Sequence, residues 1–146
     1  MNEEKKKELL QWYNTFSKDC YLENNGIVFT DFGEGWAEGT MPLDHRTCRH
    51  DGAMHGGANV AFAETLAGWL GIMSLPVEKS GDLFGVSITA NHIHQAKGNL
   101  ITGRAEFVHK GHSTQVIKVE LRDTTGTLVT VCTVTNLIKR VHSYER

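Results

Sequence analysis

The spacing of apolar positions changes period along the chain, and each change predicts an element. In EEKKKELLQWYNTFS, residues 3–17, the apolar residues Leu9, Leu10, Trp12, Tyr13 and Phe16 recur at helical spacing, so a short amphipathic helix is expected. Residues 19–30 and 35–42 alternate instead, around turn signals at Asn24-Asn25-Gly26 and Gly33-Glu34-Gly35. Strands are expected around 26–31 and 35–42, paired as a hairpin. Residues 44–54, DHRTCRHDGAM, are polar and irregular and read as a loop. A long apolar helix should follow, from about Gly57 to Leu75, ended by Pro76. The last third holds four extended runs, 82–94, 99–111, 113–123 and 128–138. Turn signals at Lys97-Gly98, Gly111-His112 and Thr124-Thr125-Gly126 separate them, which predicts a four-stranded antiparallel meander.

The long helix is apolar on all sides, so it should be covered on all sides. Its small residues, Ala58, Ala61, Ala63, Ala67, Gly68 and Gly71, allow close approach to a sheet. Residues 58–77 are long enough to span a membrane, but Glu64 would then lie near the middle and no Lys or Arg flanks the start. A buried helix wrapped by an antiparallel sheet is expected instead: an α+β fold forming a single domain over residues 1–146. The composition agrees, with 40% hydrophobic and 22% charged residues. A net charge of −2 gives no reason to expect nucleic acid, and no membrane partner is expected. The N-terminus lacks an apolar signal-peptide core, and Cys20, Cys48 and Cys132 form no CxxC pair; both point to the reducing cytoplasm. His45, His50 and His55 recur in the loop at a spacing that is no known ligand pattern, so neither metal nor cofactor is expected.

Glu64 is the one carboxylate in the greasy run. It is either a structurally paired or surface-facing Glu, or a tuned general base or nucleophile. Just before the helix stands His55-Gly56-Gly57. The glycines permit close approach of a ligand, and the unpaired N–H groups of a helix start suit an oxyanion or a polarised carbonyl. A plain glycine turn is the alternative. Gly56 and Glu64 are eight residues apart, about 12 Å along a helix, so one carbonyl cannot touch both within one chain. If both act on one group, the helix start of one subunit must meet Glu64 of another, which predicts a twofold dimer. His92 and His94 lie two apart and share a strand face, either as surface histidines or as part of an anion site with Lys97, Lys110 or His112.

With Gly52, HGGANVAFAE and the ITANHIHQAKG stretch in view, the chain resembles the hotdog-fold acyl-CoA thioesterases over roughly residues 26–138. These include the hydroxybenzoyl-CoA thioesterases of the phenylacetate-pathway kind and the proofreading and menaquinone-pathway enzymes. The resemblance implies that Glu64 is the catalytic carboxylate, as base on water or as nucleophile. It implies that the Gly56 N–H polarises the thioester carbonyl, with Gly57 beside it, and that His55 assists in positioning. It places His92, His94 and the Gly111-His112-Ser113 turn on the nucleotide end of coenzyme A. Two positions depart from the family pattern. Arg49 stands where Gln or Asn is usual, and could pair with a substrate carboxylate or with Glu64; Gly68 stands where Ser or Thr is usual. Hydrolysis of an acyl-CoA thioester to free acid and coenzyme A is the expected activity, with dimers or tetramers of the chain as the assembly. A non-catalytic acyl-CoA binding module and a hotdog dehydratase are the alternatives on the same fold.

Overall fold

The computed structural model describes residues 1–139. The single-domain expectation also covers 140–146, which lie outside the described residues. Among the described residues, three α-helices and six strands follow in the order α1 (Glu3–Thr15), α2 (Tyr21–Asn24), β1 (Val28–Gly33), β2 (Trp36–Pro42), α3 (Gly56–Met73), β3 (Leu83–His92), β4 (Leu100–Lys110), β5 (Thr114–Arg122) and β6 (Leu128–Ile138). A 3₁₀ turn, Val77–Asp82, joins α3 to β3. The strands form one antiparallel sheet in the order β1-β2-β4-β5-β6-β3, curled around α3. This is the helix-wrapped α+β hotdog architecture.

Most expected elements are present, with two corrections. The short helix α2 replaces the first part of the alternating stretch 19–30, because residues 21–24 satisfy their amides locally around the Asn24-Asn25-Gly26 turn. The second correction concerns topology. Only β4, β5 and β6 form a meander; β3 pairs with β6, so Lys97-Gly98 is not a hairpin turn. Residues 93–99 cross the end of the sheet instead. Asp123, a buried carboxylate in the β5–β6 turn, pins them by accepting from the Lys97 N–H at 2.9 Å. Hydrogen bonds to Asp123, first from the Thr125 hydroxyl and then from Lys97, hold its carboxyl at about 2, so the anchor stays ionised.

The strand sequences explain how α3 comes so close. Gly39 on β2 pairs with Gly103 on β4, directly beneath the helix. A Cβ at Gly103 would lie 2.5 Å from Leu66 and 3.0 Å from Phe62, and one at Gly39 would lie 2.9 Å from Leu66. The paired glycines form a saddle in which Phe62 and Leu66 are fully buried.

The two edges of the sheet are treated differently. Along β1, the Asn14 side chain of α1 donates to Phe29 O at 2.8 Å and accepts from Phe29 N at 2.9 Å, imitating a neighbouring strand. Tyr13 and Phe29 then pack on Trp69 of α3, with ring centroids 5.5 and 4.1 Å away. The β3 edge has no such cover among the described residues. It is ten residues long and presents Phe84 and Val86, 49% and 57% exposed. A long apolar edge of this kind is a template for pairing with another chain.

Candidate active site on one face of α3

The loop before α3 is built to aim its first residues. Thr47, nearly fully buried, donates to Pro42 O at 2.6 Å, and its own carbonyl accepts from His55 N at 2.9 Å. Between them Arg49 and Gly52 close a turn that needs the positive φ of Gly52, 84°. His55 is the N-cap: its Nδ1 accepts from Gly57 N at 2.9 Å, while its carbonyl accepts from Ala58 N and Asn59 N. Among the described residues no hydrogen bond engages the Gly56 N–H. The helix start therefore offers one free donor, and it is Gly56. α3 begins there, one residue before the expected Gly57, and ends at Met73 rather than Leu75.

His92 stands against that donor. A Cβ at Gly56 would lie 3.0 Å from His92 Nε2. Thr130, fully buried, accepts from Asn59 Nδ2 at 3.0 Å, and its hydroxyl shares a second hydrogen bond with His92 Nδ1 at 3.1 Å. These groups border a cavity of about 380 Å³ lined by Arg49, Asp51, Gly56, Asn59, His92 and His94. Among the described residues Arg49 pairs with neither Glu64 nor any distant carboxylate. It is bound to Asp51 two residues on, which holds the Asp51 carboxyl below its usual range. A larger cavity, about 670 Å³, opens between α1, the β1–β2 turn and the far end of α3, away from Gly56 and Glu64.

Glu64 is not buried. The sheet covers only one side of the α3 cylinder, sealing Phe62, Ala63, Leu66 and Ala67. The opposite stripe, Gly57, Ala61, Glu64, Gly68 and Ile72, is exposed or half-exposed, so the expectation of a helix covered all round fails within one chain. Glu64 leans over the edge strand β3, where a Cβ at Gly85 would lie 3.0 Å from its carboxylate oxygen. At Gly68 a Cβ would meet nothing within 4 Å.

His94 joins the cavity of His92, its Nδ1 3.0 Å from Leu128 O, but the Gly111-His112-Ser113 turn does not. Thr114 pairs with Leu137 and Leu83 with Ile138, whereas His92 pairs with Thr130, so the turn and the two histidines occupy opposite ends of the sheet. No metal site emerges: among the described residues no three His, Cys, Asp or Glu side chains cluster. Burial pushes the Cys132 thiol up to about 11, which leaves it protonated and a poor nucleophile. No helix among the described residues is long and apolar enough to cross a membrane.

Sequence reasoning missed Asn59, Thr130, Gln115 and Asn136. A signal existed for the last two. Gln115 shares the inward parity of Ile117, Val119 and Leu121, and Asn136 that of Cys132 and Val134. A polar residue in an otherwise apolar parity is the mark to look for.

Residues 51–130 match the thioesterase superfamily. A Pasteurella multocida relative is 35% identical over 97% of this chain and 98% of its own length. The 1,4-dihydroxy-2-naphthoyl-CoA hydrolase of Escherichia coli is 32% identical over 85% of this chain and 90% of its own. The crystal structure of a thioesterase from Haemophilus influenzae superposes with a TM-score of 0.87 at 31% identity, covering 94% of each chain.

Proposed function

Because the chain belongs to the thioesterase superfamily, we propose that it hydrolyses acyl-CoA thioesters in a site shared by two copies of the chain. The observation that carries this reading is the free Gly56 N–H at the start of the same helix that carries Glu64 on an uncovered stripe. The first can polarise a thioester carbonyl and the second can activate its attacker, but about 12 Å of helix separates them. The comparison with a CoA-thioester hydrolase supports the substrate class.

The uncovered edge supplies the geometry for sharing. Glu64 lies over Gly85, and Gly56 lies against His92, near opposite ends of β3. In antiparallel pairing of two β3 edges, residue 85 of one copy faces residue 92 of the other when the twofold axis passes midway, between Ile88 and Thr89. That point is near the middle of Leu83–His92. Such an axis sets Glu64 of one copy opposite Gly56 of the other. It also sets the Leu83 end, with the 111–113 turn beside it, near His94 of the other copy. Gly111, His112 and Ser113 then join His92 and His94 at one mouth, where the phosphates of coenzyme A would bind. Arg49 and Gly57 flank the carbonyl end, and His55 orders it by capping Gly57. Apolar residues on the α3 stripe and β3 would be covered by the second copy rather than by the chain's own sheet.

Thiol release from a panel of aromatic and aliphatic acyl-CoAs tests the activity, and release from none of them would overturn it. Val86→Lys tests the sharing, since a lysine on the edge blocks strand pairing. Light scattering should then report a monomer, and turnover should be lost with the dimer. A monomer that keeps full turnover would refute the shared site.

A further inference from the structure

Two uncharged amides lie in the core where aliphatic side chains are the rule. Gln115 is 0% and Asn136 1% exposed. Burying an amide is unfavourable unless its hydrogen bonds are met, so the bonds these two make bear on what they do. Those bonds run in one direction. Ser74, at the end of α3, donates its hydroxyl proton to Gly71 O at 2.7 Å. Its oxygen can then only accept, and it accepts from Gln115 Nε2 at 2.9 Å. Gln115 therefore turns Oε1 toward Asn136, whose Nδ2 faces it at 3.5 Å and donates to Ala67 O at 3.3 Å. Asn136 Oδ1 ends the row as an acceptor with no hydrogen-bond partner among the described residues.

It emerges beside Gly85, where β3 shifts register against β6 between Gly85 and Ser87. The position of a Cβ on Gly85 would be 3.0 Å from Glu64 Oε1 and 3.7 Å from Asn136 Oδ1. Two acceptors thus flank a notch above a bare backbone. Acceptors cannot bond each other, but they can share a species that carries two protons. Gly68, one turn beyond Glu64, has no side chain to take that part.

We propose that Asn136, oriented by Gln115 and Ser74, seats the attacking water together with Glu64 in the notch over Gly85. The inference rests on the thioesterase reading above. The water donates one hydrogen bond to Glu64 and the other to Asn136 Oδ1, keeping both protons, which leaves a lone pair free for the thioester carbon. As the new C–O bond forms, the first proton passes to Glu64 and the carbonyl becomes an oxyanion at the Gly56 N–H of the second copy. Collapse breaks the C–S bond, and Glu64 returns its proton to the departing thiolate. The products are the acid and the thiol. Glu64 is therefore a base in this chain and not a nucleophile.

Any acyl-CoA that the unmodified protein turns over serves for the test. Asn136→Leu keeps the volume and removes the acceptor; kcat should fall about 10²-fold with KM little changed. Leucine also removes the bonds to Ala67 and Gln115, so a second variant leaves the row intact. Gly85→Ala puts a methyl group in the notch on an exposed strand, and should also lower kcat by about 10²-fold while the unfolding midpoint and the oligomer hold. In a single turnover with excess enzyme in ¹⁸O water, the first acid released should carry ¹⁸O. First-turnover acid with ordinary oxygen, delivered by Glu64 itself, would overturn the proposal, as would unchanged kcat in folded Gly85→Ala. Failure of the unmodified protein on every acyl-CoA would instead refute the thioesterase reading.

Discussion

The two faces of α3 belong to one apolar run and have opposite fates. One is sealed by its own sheet: Phe62, Ala63, Leu66 and Ala67 are all 0% exposed on the Gly39–Gly103 saddle. The other presents Gly57, Ala61, Glu64, Gly68 and Ile72, with Ile72 37% exposed, beside the bare β3 edge. The sealed face does the work of folding. The open face carries the carboxylate and the free helix-start N–H. A helix apolar all round is expected when both faces are destined for cover, but the cover need not come from the same chain.

Substitutions on the two faces should separate stability from turnover. The largest effect is expected from Phe62→Ala on the sealed face. It empties a fully buried site at the saddle and should destabilise the fold by about 3–5 kcal/mol, read from denaturant unfolding. A loss under about 1 kcal/mol would mean that the saddle is loosely packed. Glu64→Gln on the open face should do the reverse. Its kcat should fall about 10²-fold or more. The unfolding midpoint should stay within about 0.5 kcal/mol of its original free energy, because the exposed carboxylate makes no hydrogen bond among the described residues. A folding defect with turnover preserved would remove Glu64 from the mechanism.

The sharpest contrast is between two glycines three residues apart. A Cβ at Gly71 would lie 2.6 Å from both Gln115 Oε1 and Leu83 Cδ2, so Gly71→Ala should destabilise by about 1–3 kcal/mol through overpacking. A Cβ at Gly68 meets nothing within 4 Å, and Gly68→Ala should stabilise the helix by about 0.5–1 kcal/mol. Thermal melts of both variants check the pair. A lowered midpoint for Gly68→Ala would show that a second copy packs closely at that position.

The sequence by itself determined the type of the longer elements, the single greasy helix, and the HGG-to-Glu spacing, because each is written in local periodicity and local backbone chemistry; the short helix α2 was not among them. The inward parities of the sequence also carried Gln115 and Asn136, although their meaning was not legible from either strand alone. Only the tertiary structure decided that β3 pairs with β6 rather than β4, that Glu64 looks outward over Gly85, and that the 111–113 turn lies at the far end of the sheet from His92. Hydrophobic period states which side of an element must be covered. It does not state what covers it, because strand partners and cross-sheet neighbours are set by hydrogen-bond register between segments far apart in the chain. The same limit applies to Asn136. Its orientation follows from where the proton of Ser74 goes, sixty-two positions earlier in the sequence, and that relation exists only once β6, β5 and the end of α3 have met.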